Sequence, residues 1–441
     1  MAARCLYPPR LVSRRLSTES HTWSPSPFNT GVVADSEINR LAAKPRRPLT
    51  LTDLVKYGKP PLSDEALISS ANFALSHLPV RLAHRIQALR NLPFIVVSNP
   101  SINQIYHNYQ QSLSALEPFY RQKRITTIEE EVRFTEAVAE LVSTHSNTIP
   151  ILARGFLQCR KYIDAAETTR FLDQHLRARI GTRLVAEQHL ALHVASTGTV
   201  GDQDQPENHI GVIDTALRPA DVILSCQDFV GEICELKYGI RPTLVINGEA
   251  DAEFAHIPMH LEYIFTELLK NAFRAVVESG NERHPVEVTI AAAPGISQTK
   301  LDALREMSVA ADRSYDFSQA GLDEYCAEAA ADGQLNSAVP SITVRIRDRG
   351  GGISPETLPN IWAYSFTTFN SEESATPDNG NSDGFNALSG AGDTSSLAGL
   401  GYGLPLSRAY AEYFGGGIAM ESMYGWGTDI YLTLQGIAKI K

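Results

Sequence analysis

Between about residues 60 and 238 apolar side chains recur at three- and four-residue spacing; after Gly239 the pattern changes to short strand-like runs alternating with helices. That break divides the chain into a helical part and a mixed α/β part. In the helical part Pro79 predicts the start of a segment with Leu82, Ile86 and Leu89 inward. Asn99-Pro100 reads as a cap followed by a first-turn proline, ahead of Ile102, Ile105, Tyr109 and Leu116. Thr127 with Glu130 forms a capping-box pattern before Val132 to Val142. A long helix is predicted from about Thr168 to Val194, and another opens at Pro219 and is capped by Gly239. Long amphipathic helices with short loops predict an antiparallel bundle. Beyond Gly239 the strand-like runs are Thr243–Ile246, Val286–Ala291, Ser341–Arg347, Ile418–Met423 and Asp429–Leu434, with helices over His260–Glu278 and Leu404–Phe414.

A chain of 441 residues holds about two to four domains, and 43% apolar against 20% charged residues is enough for sizeable cores. The net charge of −11 argues against a nucleic-acid partner, whose backbone asks for a clustered positive field. No run of apolar residues is long enough to span a membrane. The cysteines (Cys5, Cys159, Cys226, Cys234, Cys326) form no CxxC pair, which removes a zinc ribbon, a thioredoxin-type site and a disulfide scaffold. Residues 1–18 carry Arg4, Arg10, Arg14 and Arg15 and no acid, the composition of a mitochondrial transit peptide.

The expected organisation is a transit peptide and disordered start over 1–30, a helical bundle domain over 31–238 and a mixed α/β domain over 239–441. Ser196–His209 reads as a loop and 292–340 as an insertion between two strands that would otherwise pair as a hairpin. The Ser-, Asn-, Gly- and Asp-rich stretch 370–398 reads as a mobile lid.

Four constellations carry chemistry. In Glu267-Leu-Leu-Lys270-Asn271-Ala-Phe-Arg274, Glu267 and Asn271 are one helical turn apart, with Lys270 and Arg274 flanking the same face. An amide oxygen suits a hard cation such as Mg²⁺, and a carboxylate one turn away can orient or deprotonate a hydroxyl. Asp348-Arg349-Gly350-Gly351-Gly352 follows a strand, so glycine backbone can approach a ligand while Asp348 accepts from an exocyclic amine. Gly399-Leu-Gly401-Tyr402-Gly403-Leu404-Pro405 opens a helix as a phosphate cradle. Gly425-Trp-Gly427-Thr428-Asp429 precedes the last strand and reads equally as a hairpin turn. Alone, each has a bland reading: a solvated salt-bridged helix face, or tight turns.

Their order resembles the Bergerat-type ATP fold of histidine kinases, gyrase, MutL and the heat-shock ninety chaperones. The stretches Leu78–Ile86 (LPVRLAHRI), Glu267–Arg274, Ser365–Thr368 and Gly401–Glu412 go further and resemble the mitochondrial 2-oxo acid dehydrogenase kinases, of pyruvate and branched-chain type, over about residues 60–436. The resemblance implies an N-terminal four-helix bundle followed by a Bergerat-type α/β sandwich, usually dimeric, in the mitochondrial matrix. It implies transfer of the ATP γ-phosphate to a serine of the E1α subunit of a complex whose E2 carries lipoyl groups. Carried over by motif, Glu267 would be the general base, Asn271 would hold Mg²⁺, and Lys270 and Arg274 would assist the phosphates. Asp348, with Gly350 and Gly352, would read adenine, and Thr367, Thr368, Gly399, Gly401, Tyr402, Gly403, Leu404 and Thr428 would line the nucleotide. K⁺ is implied near Ile361, Ala363 and Phe366, where Ala363 replaces an acid and leaves backbone carbonyls as ligands.

Pyruvate-type members carry a histidine one turn before the catalytic glutamate; here Tyr263 stands there, as in the branched-chain type. Leu89–Ile95 and Leu152–Ile163 lean the same way. The chain ends at Lys441, without the long C-terminal arm that pyruvate-type dimers exchange. Which complex is the substrate stays open. A sensor histidine kinase is an alternative, but His189 and His193 on the long helix are not followed by the acid a phospho-accepting histidine needs, and both read as structural. A non-catalytic ATP-binding adaptor of the complex is the other.

Overall fold

The computed structural model of the chain describes residues 33–197, 208–297, 338–364 and 401–437. These form two compact units. One holds residues 33–47, 57–197, 360–364 and 401–406, the other 48–56, 208–297, 338–359 and 407–437.

The first unit is helical. It begins with α1 (Asp35–Ala42); the short α2 (Leu51–Val55), closed by reciprocal Thr50 and Asp53 bonds, belongs to the second unit. Next come α3 (Asp64–Arg90), α4 (Phe94–Val97), α5 (Pro100–Gln122), α6 (Ile128–Thr144), α7 (Thr148–Gln158) and α8 (Ala165–Ser196). α3 packs on α5, α6 and α8, and α6 packs on α5 and α8. Side chains hold the helix starts: Asn99 Oδ1 accepts from the Ser101 amide at 3.0 Å, and Asp164 Oδ2 from Ala166 at 3.0 Å. The Thr127 cap forms, with its hydroxyl accepting from the Glu130 amide at 3.3 Å. The return arm differs from a capping box, because Glu130 accepts from the amide of Thr126 instead, at 2.9 Å.

Pro79 does not start a helix. α3 starts at Asp64, where Ser63 Oγ accepts from the Ala66 amide at 3.3 Å, and runs on through the proline. The missing amide donor weakens the ladder there. Leu78 and Leu82 beside it are fully buried, and that packing holds the helix together across the break.

The second unit contains β1 (His209–Ile210), β2 (Ile213–Leu217), α9 (Pro219–Tyr238), β3 (Leu244–Gly248), β4 (Phe254–His256), α10 (Pro258–Glu278), β5 (Val286–Ser297), β6 (Ala338–Asp348), α11 (Gly403–Glu412), β7 (Gly417–Met423) and β8 (Gly427–Gln435). Residues 403–406 of α11 fall in the first unit by compactness. The main sheet has the order β3-β5-β6-β8-β7; β3 and β5 are parallel and the other pairs antiparallel. Period-two alternation buries Val286, Val288, Ile290, Ile342, Val344, Ile346, Ile430, Leu432 and Leu434 on one face. β1, β2 and β4 form a small second sheet that the sequence reading did not anticipate.

Three boundaries differ from expectation. α9, expected to close the helical domain, packs along α10: Cys226 Sγ donates to the Glu262 carbonyl at 3.6 Å and accepts from the Thr266 hydroxyl at 3.5 Å. Among the described residues the division between units therefore falls between Thr197 and Asn208, ahead of α9, not at 238/239. Residues 360–364 and 401–406, expected in the ATP-binding domain, belong to the helical unit, where Tyr364 donates to Asp173 at 3.4 Å and its ring lies 5.4 Å from that of Tyr402. The expected insertion contracts, because β5 and β6 pair out to Ser297 and Ala338; residues 298–337 lie outside the described residues, as does the expected lid at 370–398.

Candidate ATP and phosphoryl-transfer site

Pro258 opens α10 at its first turn, and Leu261, Ile264, Phe265, Leu268, Leu269 and Phe273 face the core. That stripe fixes what the opposite face can present. Glu267 lies at its edge, 8% exposed, while Asn271 one turn later is exposed. Lys270 Nζ donates to Glu267 Oε1 at 2.5 Å. Among the described residues Oε2 of Glu267 carries no hydrogen bond, so one oxygen is anchored and the other is available. Arg274 turns along the helix and donates from Nε to Glu278 at 2.7 Å.

Asp348 ends β6 opposite Thr428 of β8. It is 6% exposed and accepts from the Gly350 amide at 2.8 Å. Burial pushes its carboxyl up to about 6, against the opposing pull of the Gly350 and Thr428 amides. A buried acceptor at a strand end, held from behind by amides, can receive a ring amine.

The turn that follows is built by exclusion. A Cβ on Gly352 (φ +69°) would meet the Met423 carbonyl at 2.2 Å, and one on Gly427 the Asp348 carbonyl at 2.1 Å. Ser422 Oγ accepts from the Ile353 amide at 2.7 Å and lies 3.1 Å from Thr428 Oγ1. Asn281, just past α10, donates to the Arg349 carbonyl at 2.9 Å. On the outer face of the sheet Arg347 pairs with Asp429 through two bonds of 2.7 and 2.5 Å.

Two family models match the chain. Residues 48–214 match the mitochondrial branched-chain alpha-ketoacid dehydrogenase kinase model, and residues 323–436 the model of the histidine kinase-, DNA gyrase B- and HSP90-like ATPases. A mitochondrial pyruvate dehydrogenase (acetyl-transferring) kinase of Arabidopsis thaliana is 27% identical over 405 residues, 90% of this chain and 93% of its own. Kinase 1 of Saccharomyces cerevisiae is 29% identical over 409 residues, covering 91% and 87%. Mouse isozyme 4 is 27% identical over 432 residues, covering 94% and 87%. The chain belongs to the mitochondrial 2-oxo acid dehydrogenase kinase family. It is a protein kinase with an ATP-binding domain of the histidine-kinase-like type.

In this family member the structure brings Asp348, Gly350, Gly352 and Thr428 together at one end of the sheet, and aligns Glu267, Lys270, Asn271 and Arg274 along α10. Gly401 has φ +74°, the left-handed conformation that glycine tolerates. Tyr402 is 1% exposed, and α11 opens at Gly403, one residue before the expected start. Thr367, Thr368, Phe366 and Gly399 lie outside the described residues. Ser422 and Asn281, which hold the glycine turn, were not anticipated; short polar residues just past a helix or inside an edge strand carry no distinguishing sequence signal.

His189 and His193 are not phospho-acceptors in waiting. His189 is 1% exposed, its Nδ1 is 3.1 Å from Ser70 Oγ, and its Nε2 is 3.0 Å from Thr135 Oγ1. His193 Nδ1 lies 2.9 and 3.0 Å from the carboxyl oxygens of Glu131, which is fully buried. The acid missing beside these histidines in sequence comes from α6. Among the described residues no cluster of histidine, cysteine and carboxylate side chains could hold a metal. No helix among them is long and apolar enough to cross a membrane.

Proposed function

We propose that this kinase transfers the γ-phosphoryl group of ATP to a serine hydroxyl on the E1α subunit of a mitochondrial 2-oxo acid dehydrogenase complex and thereby inactivates it. The observation that carries the reading is the Glu267–Lys270 pair at the edge of the α10 core, one turn from an exposed asparagine. Lys270 fixes one carboxyl oxygen, and the other accepts the serine proton as the serine oxygen attacks phosphorus and ADP departs. Asn271 fits Mg²⁺, a hard cation that takes few protein ligands and keeps waters and phosphate oxygens. Mg²⁺ when bound neutralises phosphate charge. Arg274 is near enough in sequence to leave Glu278 for a phosphate.

Asp348 accepts the adenine amine, and Gly350 and Gly352 let the base approach backbone. Gly401, Tyr402, Gly403 and Leu404 present helix N-terminal amides to the phosphates, with Thr367, Thr368, Gly399 and Thr428 completing the lining. A K⁺ requirement would rest on the carbonyls of Ile361 and Ala363, and replacing K⁺ by Na⁺ in the assay tests it. We read the helical unit as a four-helix bundle that carries the docking and dimer surfaces, with a lipoyl-bearing E2 as the second partner. That the relatives are mitochondrial kinases supports placement in mitochondria, and the matrix is where we place it.

The deciding experiment incubates the chain with Mg²⁺, labelled ATP and purified pyruvate and branched-chain dehydrogenase complexes in parallel. Acid-stable label on a serine of one E1α supports the reading and names the complex. Acid-labile label on the kinase would favour a histidine kinase. No label with nucleotide still bound would favour a non-catalytic adaptor.

A further inference from the structure

The helical unit holds a cavity of about 740 Å³ between α1, the loop that follows it, the first half of α3 and the end of α5. Its walls carry seven cationic side chains and one acid, Glu37, in a chain whose net charge is −11. Two of the cations are neutralised locally: Arg40 donates to Glu37 at 2.6 Å, and Arg121 to Glu117 at 2.5 Å. Lys44, Arg47, Arg81 and Lys123 have no carboxylate partner among the described residues.

Two polar groups in the wall are buried without a hydrogen-bond partner there. Arg81 is 6% exposed; its terminal nitrogen donates to the Arg47 carbonyl at 2.9 Å, but its Nε–H bonds nothing. The Tyr120 hydroxyl is likewise buried and unbonded. A buried guanidinium is normally paired with an anion, and a buried hydroxyl normally has a partner. Both stand in the wall of one basic cavity, whose volume is in the range of small-molecule sites. Leu41, Leu75 and Val80 give the same walls an apolar part.

We propose that this cavity binds a small organic polyanion, phosphorylated or polycarboxylated. One acidic group pairs with the accessible edge of the Arg81 guanidinium, whose Nε lies with the Tyr120 hydroxyl just behind the cavity surface. The exposed Lys44, Arg47 and Lys123 at the mouth neutralise the rest. All of these residues lie in the helical unit, and Asp348 belongs to the other.

The test uses the full chain, with thermal unfolding and titration calorimetry against pyrophosphate for the phosphate arm and citrate for the carboxylate arm, each beside NaCl of equal ionic strength. Binding by either raises the unfolding temperature above the salt control, and the stronger arm gives the chemistry. The double variant Lys44→Gln/Arg47→Gln, changed only at exposed side chains, weakens that binding at least tenfold, and Arg81→Gln abolishes the shift. Saturating ADP, which fills the nucleotide site, leaves the anion's own shift unchanged. The proposal fails if neither anion shifts the transition beyond NaCl. It fails equally if the shift survives the double variant, or is lost under saturating ADP, which would put the anion in the nucleotide site.

Discussion

A Cβ placed on Gly350 would sit 2.4 Å from the Cβ of Ala275, so the turn after β6 rests directly on α10. Through this contact the turn after Asp348, the aspartate proposed to read the base, and the helix that carries Glu267 share a wall. Gly350→Ala is therefore expected to push turn and helix apart. Overpacking of this kind costs about 1–3 kcal/mol. The variant should show a lowered urea midpoint and weaker binding of a fluorescent ATP analogue. An unchanged midpoint would mean that the contact relaxes freely.

On the proposed reading Asp348 accepts from adenine most strongly as a carboxylate, and burial pushes its carboxyl up to about 6. Nucleotide affinity should therefore fall as pH drops through that value, approaching a tenfold loss per unit below it. Asp348→Asn replaces an acceptor by a group that can turn its amine toward the base, so it should bind weakly at all pH values and show no such slope. Calorimetric titration with ADP between pH 5 and 8 measures both.

The local geometry of the candidate site was legible in the sequence where backbone shape demands a residue type at a fixed place. Asp348 before its glycines, Asn271 one turn after Glu267, and Gly401 ahead of α11 could be found because strand ends, helix turns and positive φ tolerate few alternatives. What the sequence hid was partnership. Cys226 of α9 is as apolar as any bundle face, and only packing shows that it meets α10. Pro79 carried a strong local signal for a helix start, and buried neighbours overrode it. Glu131 reaches His193 across 62 positions of sequence, a distance over which no spacing rule operates.

Lys270 and Glu267 act as a unit, so their variants should separate binding from transfer. Glu267→Gln is expected to keep ATP binding within about twofold and to lower transfer by about 10²–10⁴, the usual contribution of a positioned base. Lys270→Met frees the carboxyl oxygen and should lower the rate at saturating ATP more than the affinity for ATP. Single-turnover phosphorylation beside equilibrium nucleotide binding gives both quantities. Undiminished transfer by Glu267→Gln would remove the base assignment.

Glu131 is a fully buried carboxyl whose oxygens are held by His193 and the Thr135 hydroxyl, the latter at 3.1 Å. Removing one partner of such a set strands the others. Glu131→Ala is expected to cost about 3–5 kcal/mol, with Glu131→Gln milder because its amide oxygen still accepts from a ring N–H. Denaturant unfolding of both, monitored by helical circular dichroism, ranks them. Equal stability of Glu131→Ala and the parent would show that the network contributes nothing.

The pH dependence of stability sets two kinds of buried group against each other. His145, His189 and His256 are each pushed down to about 4, chiefly by burial, so each is neutral in the fold. Their contribution is complete above their unfolded value near 6.5 and is lost as pH falls toward 4. Asp348 has the opposite sign: its raised carboxyl favours the fold below about 4 and loses that advantage as pH rises through 6. Between pH 6 and 4 His175 and His209, whose rings burial also pushes down, act with these three, and Glu262, whose carboxyl burial likewise pushes up, acts with Asp348. Each contributes up to roughly 1.4 kcal/mol per pH unit, so the fold should lose stability on acidification through this window. Asp348→Asn removes one opposing contribution and should steepen the loss; His189→Gln removes one of the histidine contributions and should flatten it. Urea midpoints at half-unit steps from pH 4 to 7 read the slopes, and a wild-type midpoint that rises on acidification would mean that the histidines do not stay neutral in the fold.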